Sequence, residues 1–132
     1  MTLLKQDNVC PLSVEVDIAP AFGFGLITDK KGQRPGVPYL LLAAENQTGF
    51  VVGQHLAYYE EMYHHLSDIM ERILLESPMH LPHQFLIKQE ITRRNLQPLA
   101  RSLNIKIKKT SRLTAIAEAR RALSRFTSRT VS

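Results

Sequence analysis

A single cysteine, Cys10, is all the thiol chemistry in this chain of 132 residues. No internal disulfide is therefore possible, and the reducing cytoplasm is the expected compartment. The sequence also lacks any run of about eighteen apolar residues, so nothing in it reads as a transmembrane helix. Its first stretch, "MTLLKQDNVCPLSVEVD", offers only Leu3-Leu4 before Lys5 and Asp7, too little for the apolar region of a signal peptide. No serine sits in a G-x-S-x-G elbow, which removes the usual strained nucleophile turn. "GFG" at 23–25 lacks both a following helix start and the Lys-Ser/Thr pair of a phosphate loop. Repeats and low-complexity tracts are absent too. The expectation is a single domain over residues 13–132, long enough to bury its own core, behind a loose arm at 1–12.

Acidic residues are scarce at one end. Residues 88–132 hold only Glu90 and Glu118 against twelve Lys/Arg, a net of +10. Residues 1–87 carry ten Asp/Glu against five Lys/Arg, a net of −5. Clustered cations gain by releasing counterions from phosphates, so the asymmetry points to nucleic acid or an acidic protein surface. A solvated basic face that only keeps the chain soluble is the plainer alternative.

What is present is a clear succession of elements. "SVEVDIAP" alternates Val14, Val16 and Ile18 with Glu15 and Asp17, the period of a strand with one wet face. A glycine-rich connection follows, with a short strand predicted at Phe24 to Thr28. Residues 37–45 are almost continuously apolar up to Glu45, as in a strand buried on both faces. Thr48-Gly49 supplies the positive-φ residue of a hairpin loop, so 50–58 should pair antiparallel with 37–45. Gly53 inside that partner predicts a bulge or a close neighbour. Met62, Leu66, Ile69, Met70, Ile73 and Leu74 form one helical stripe, with Glu60 and Glu61 in its first turn and Ser77-Pro78 ending it. "QFLIKQ" is the next strand, and Leu96, Leu99, Ala100 and Leu103 mark a helix with Pro98 in its first turn or kinking it. "IKIKKT" turns Ile105 and Ile107 inward and Lys106 and Lys108 outward, as a guarded edge strand does. Thr110 or Ser111 should cap a last helix whose stripe runs from Leu113 to Phe126.

The order strand, loop, hairpin, helix, strand, helix, strand, helix predicts an α/β fold. Its mixed sheet joins an antiparallel hairpin to parallel βαβ units and is flanked by three helices. "PYLLLAAENQTGFVVG", "PHQFLIK" and "LNIKIKKT" resemble the first, fourth and fifth strands of the RNase H-like superfamily, which includes transposase and integrase cores. More closely, "VEVDIAP", "PYLLLAAENQTGFVVG", "LPHQFLIKQ", "LQPLARSLNIKI" and "LTAIAEA" resemble a family of bacterial domains of unknown function. The resemblance makes residues 37–45 the central strand. It implies sites for two Mg²⁺ at Glu45, Gln89 (with Glu90 adjacent) and Glu118, and a register slip of one residue makes Glu45, Glu90 and Glu118 a full acidic set. A rival frame takes Asp17 as the first-strand acid with Glu60 or Glu61 on a helix, and makes "GFGLITD" and "VPYLLLAA" the second and third strands.

Two further constellations are weaker. His64-His65 and His80, His83 lack metal-ligand spacing, since adjacent histidines on a helix diverge and no cysteine lies near them in sequence. Tyr58, Tyr59 and Tyr63 have the spacing of packing residues, although beside a basic groove such rings stack bases. The expected function is a non-catalytic binding module on a degenerate RNase H-like fold. Arg93, Arg94, Lys106, Lys108, Lys109, Arg121 and Arg125 would position phosphates of nucleic acid or engage an acidic partner, with no cofactor. One alternative is a Mg²⁺- or Mn²⁺-dependent nuclease using Glu45, Glu90 and Glu118, which requires their oxygens to converge on metals about 4 Å apart. Another is a protein-interaction or homo-oligomerisation domain. No membrane role is expected.

Overall fold

The alternating residues Val14 to Ile18 do form a strand, but both of its faces are dry. In the computed structural model, which describes residues 12–21, 38–78 and 81–131 with side chains through residue 123, Glu15 is fully buried and Asp17 only 8% exposed. The strands are β1 (Ser13–Pro20), β2 (Pro38–Glu45), β3 (Val51–Tyr58), β4 (Gln84–Ile87) and β5 (Lys106–Lys109). The helices are α1 (Tyr59–His64), α2 (Leu66–Glu76), α3 (Glu90–Leu103) and α4 (Thr114–Val131). Strand order is β3-β2-β1-β4-β5. β2 pairs antiparallel with both neighbours, whereas β1–β4 and β4–β5 are parallel. The α/β class, the hairpin and the parallel units are as the sequence predicts.

The centre of the sheet is not. Residues 37–45 were expected there, yet β1 occupies that place and β2 lies beside it. The rival frame takes "VEVDIAP" as the first strand, as found; its second strand, "GFGLITD", lies outside the described residues, among which Pro38–Glu45 is the second strand. The predicted strand at Phe24 to Thr28, the arm before residue 12, Cys10 and His80 lie outside the described residues.

Each face of the sheet has its own core. Val14, Val16 and Ile18 of β1, Leu41 and Ala43 of β2, and Phe85 and Ile87 of β4 pack under α1, α2 and α3. Leu40, Leu42 and Ala44 pack under α4 through Leu113, Ala115 and Ile116. Burying each large side chain of this kind stabilises by roughly 1.5–3 kcal/mol. Glu15 and Asp17 share the α4 face, which the sequence pattern had assigned to water.

Local corrections have local causes. The predicted single helix after Tyr58 is two, broken at His65, whose φ of −109° and ψ of 20° leave the helical region. α3 begins at Glu90, before the predicted stripe, because buried Thr92 and half-buried Ile91 extend its inner face. Pro98 therefore lies inside the helix, where it removes one backbone donor. Asn104 ends α3 in the left-handed region at φ 60°, and the Ile105 N–H returns to the Ala100 carbonyl at 2.8 Å. Gly49 takes φ 79° in the hairpin turn, as Thr48-Gly49 predicts. The bulge expected at Gly53 is also present, at the register shift between Ala43 and Ala44.

Candidate functional site

Glu15 and Asp17 are two residues apart on the α4 face of β1, and protein donors occupy both. Glu15 Oε1 accepts the Ile116 backbone N–H at 2.9 Å, and Oε2 accepts Asn46 Nδ2 at 2.6 Å. Ile116 lies in the first turn of α4, so a strand carboxylate caps this helix and faces the positive end of its dipole. The caps expected from the sequence, Thr110 and Ser111, do not do so: Thr110 Oγ1 instead accepts the Arg112 N–H at 3.4 Å, within the preceding loop. Asp17 Oδ2 accepts Arg120 Nη1 at 2.9 Å in a largely buried ion pair. The other terminal nitrogen, Arg120 Nη2, is buried without a hydrogen-bond partner among the described residues.

Beyond Asp17 a crevice of about 350 Å³ opens at the carboxyl ends of β1, β4 and β5. Asp17, Lys88, Ser111, Arg112, Thr114 and Arg120 contribute to its lining. The carboxyl ends of parallel strands are where open α/β sheets receive ligands. Here three cations and two hydroxyl side chains surround one acid, and that acid is already held by Arg120. The arrangement suits an anion.

The lysines of β5 continue this surface. In parallel register Lys108 is paired with Leu86, which belongs to the α4-side core, and Lys106 with Gln84 on the same face. Both lysines are exposed, and neither they nor Lys88 nor Arg112 make an ion pair with a described residue. Arg121 stands on α4, paired with Glu118 at 3.6 Å. The other predicted cations divide from these. Arg93 and Lys109 both bind Glu90, the latter at 3.6 Å, and Arg94 is exposed on α3 across the sheet. The Arg125 side chain lies outside the described residues.

The three predicted carboxylates do not come together. Glu45 is 3% exposed and closes its own hairpin, accepting Thr48 Oγ1 at 2.7 Å, the Thr48 N–H at 2.8 Å and the Gln47 N–H at 3.1 Å. Burial alone would raise its pKa, but these three donors outweigh it and hold the carboxyl below the ordinary 4.5. Glu90 lies at the opposite end of the sheet, where its hydrogen bond from Arg93, aided by the Arg93 and Lys109 charges, also holds it low. Glu118 is an exposed residue of α4, on the other face of the sheet from α3 and Glu90. Among the described residues no group of three His, Cys, Asp or Glu is placed to hold a metal ion.

A sequence profile for a domain of unknown function, DUF6930, matches residues 1–124. The chain belongs to the DUF6930 family. No curated protein matches it.

The DUF6930 match spans every carboxylate and nearly every cation just described. Within it, sequence reasoning missed Glu15, Lys88, Arg112 and Arg120 as site residues, and it offered Asp17 only as the metal-binding acid of the rival frame. The only available signal was the pair of acids on one side of an alternating strand. Their partners identify them, and those lie 31 and 101 residues away for Glu15 and 103 for Asp17.

The aromatic cluster packs within the fold. Tyr63 is buried, with burial pushing its phenol above the ordinary 10.0, and its ring meets Tyr59 at 4.9 Å while Tyr59 meets Tyr39 at 5.3 Å. His64, His65 and His83 are exposed. Among the described residues, no helix is long and apolar enough to cross a membrane.

Proposed function

We propose that this domain is a binding module for a phosphate-rich polyanion, nucleic acid in the first instance, and that it positions phosphates rather than cleaving them. The observation that carries the reading is the continuous cationic surface from the crevice to the β5 edge. Lys88, Arg112, Lys106 and Lys108 all belong to it, without carboxylate partners among the described residues. Phosphate oxygens supply the missing acceptors, and counterion release drives the association. The buried Arg120 Nη2 adds an unused donor on the residue that holds Asp17.

The mixed sheet, with its hairpin leading to parallel units, is the arrangement that an RNase H-like relationship implies. We read the domain as a degenerate member of that superfamily. Two features support "degenerate": Asp17, the acid on the central strand, is neutralised by Arg120, and Glu15 beside it is committed to Asn46 and α4.

The test is fluorescence anisotropy with labelled duplex and single-stranded DNA and RNA over a salt series. Each phosphate contact contributes about −0.9 to the slope of log K against log salt on duplex, or about −0.7 on single strands. Replacing Lys106 and Lys108 together by alanine should weaken binding to all sequences and flatten the slope by roughly 1.8 on duplex or roughly 1.4 on single strands. Absence of binding at low salt, or a variant slope equal to that of the unchanged chain, rejects the reading.

A further inference from the structure

The two margins of the sheet are built in opposite ways. β5 carries lysine at three of its four positions, "KIKK", a pattern that repels an approaching strand. β3 reads "VVGQHLAY" over eight residues, with no Lys, Arg, Asp, Glu or Pro. Among the described residues its outer edge pairs with nothing, so its outward N–H and C=O groups are free to form a ladder. α4 packs on β1 and β2, and among the described residues the α4-side surface of β3 remains partly exposed. Phe50, Val51, Leu56 and Tyr58 are 45%, 42%, 44% and 52% exposed. Val51 and Gln54 also border an apolar groove of about 470 Å³, closed on the far side by Leu42, Ala119 and Ala122.

We propose that the outer edge of β3 is an interface for a second copy of this chain, the two β3 strands pairing antiparallel across a twofold axis to make one ten-stranded sheet.

Area and charge select this occupant. The four apolar side chains expose roughly 350 Å² per chain, a patch of the size that marks interaction sites. Across an antiparallel ladder Val51, Leu56 and Tyr58 stand on one face beside the same residues of the copy, so part of this area is buried in addition to the backbone of two eight-residue strands. An isologous contact sets each surface against itself, so a patch without formal charge meets its copy without repulsion. The cationic β5 margin lies four strand spacings away, about 19 Å, more than two Debye lengths at physiological salt. Joined at β3, the two basic surfaces point to opposite ends of the assembly. Joined at β5, their lysines would face one another.

Light scattering after size exclusion, run on the full chain over a wide concentration series, tests this. The expected mass is about 30 kDa, twice the 15.0 kDa of one chain. Leu56→Lys and Tyr58→Lys each place a charge against its own copy and should return the mass to 15.0 kDa, with an unchanged circular dichroism spectrum. Arg94→Glu on α3 should leave the dimer intact. A chain that stays monomeric at all concentrations overturns the proposal and leaves the edge to a strand from another protein. A dimer that survives both lysine substitutions overturns it equally. Polyanion binding is measured separately, so either idea fails without the other.

Discussion

Glu15 and Glu45 show how little a residue's type says about its work. Both are glutamates on strands and both are buried, but one ties distant elements together and the other closes a turn. Removing Glu15 leaves the Ile116 N–H and the Asn46 amide without their acceptor, and hydrogen bonds to a charged group contribute about 1.5–3 kcal/mol each. Glu15→Ala should therefore lower stability by roughly 3 kcal/mol or more in urea unfolding. Glu15→Gln should also destabilise, since the amide nitrogen faces a donor on one side. A change within about 0.5 kcal/mol for both would contradict the cap. Glu45 is tested by pH. Its pKa is lower folded than unfolded, so its contribution is complete above the ordinary 4.5 and is lost as pH falls through the folded value. Urea midpoints measured from neutral pH into acid should decline less steeply for Glu45→Gln than for the unchanged chain. Glu90 titrates in the same direction in both proteins, so the difference between the two curves isolates Glu45.

At the scale of elements, the hairpin, the guarded edge strand and the parallel order were legible because their signals are local. Thr48-Gly49 fixes the turn, and the lysines of "IKIKK" mark an edge. The burial of the acids on β1 was not legible. Alternating Val and acid has the same appearance whether the acid meets water or a distant N–H and guanidinium. The helix start at Glu90 was obscured by Pro98, which draws attention to its own turn, and the two-helix break at His65 has no breaker residue. Gly53 was legible and has a sharp consequence. A Cβ placed there would lie 2.6 Å from Cγ2 of Ile73, so β3 and α2 touch backbone to side chain. Gly53→Ala should cost about 1–3 kcal/mol through overpacking. Ile73→Ala alone also destabilises, but added to Gly53→Ala it should recover part of the loss, a coupling that a double-mutant cycle in urea measures. Additive losses would show that Ile73 is not what the new methyl meets.

For the whole molecule, the charge asymmetry of the sequence becomes a spatial one. The acids Glu60, Glu61, Asp68, Glu71 and Glu76 lie on α1 and α2, while the cations concentrate on α3, β5 and α4. The lysines of β5 then have a second task beyond phosphate contact. If β3 pairs across a twofold, both outer margins of the ten-stranded sheet are β5 strands, and Lys106, Lys108 and Lys109 stop further pairing. A closed dimer stays closed only while those margins repel. Replacing all three lysines by threonine retains strand propensity and removes the repulsion. The expected outcome is a mass that grows with concentration beyond about 30 kDa, twice the 15.0 kDa chain, as strands add at both ends. Adding Leu56→Lys to that variant should cut the chains back to dimers joined at β5, because each copy then keeps one open edge. A triple-threonine protein that holds the dimer mass at every concentration would mean that the lysines serve the polyanion alone.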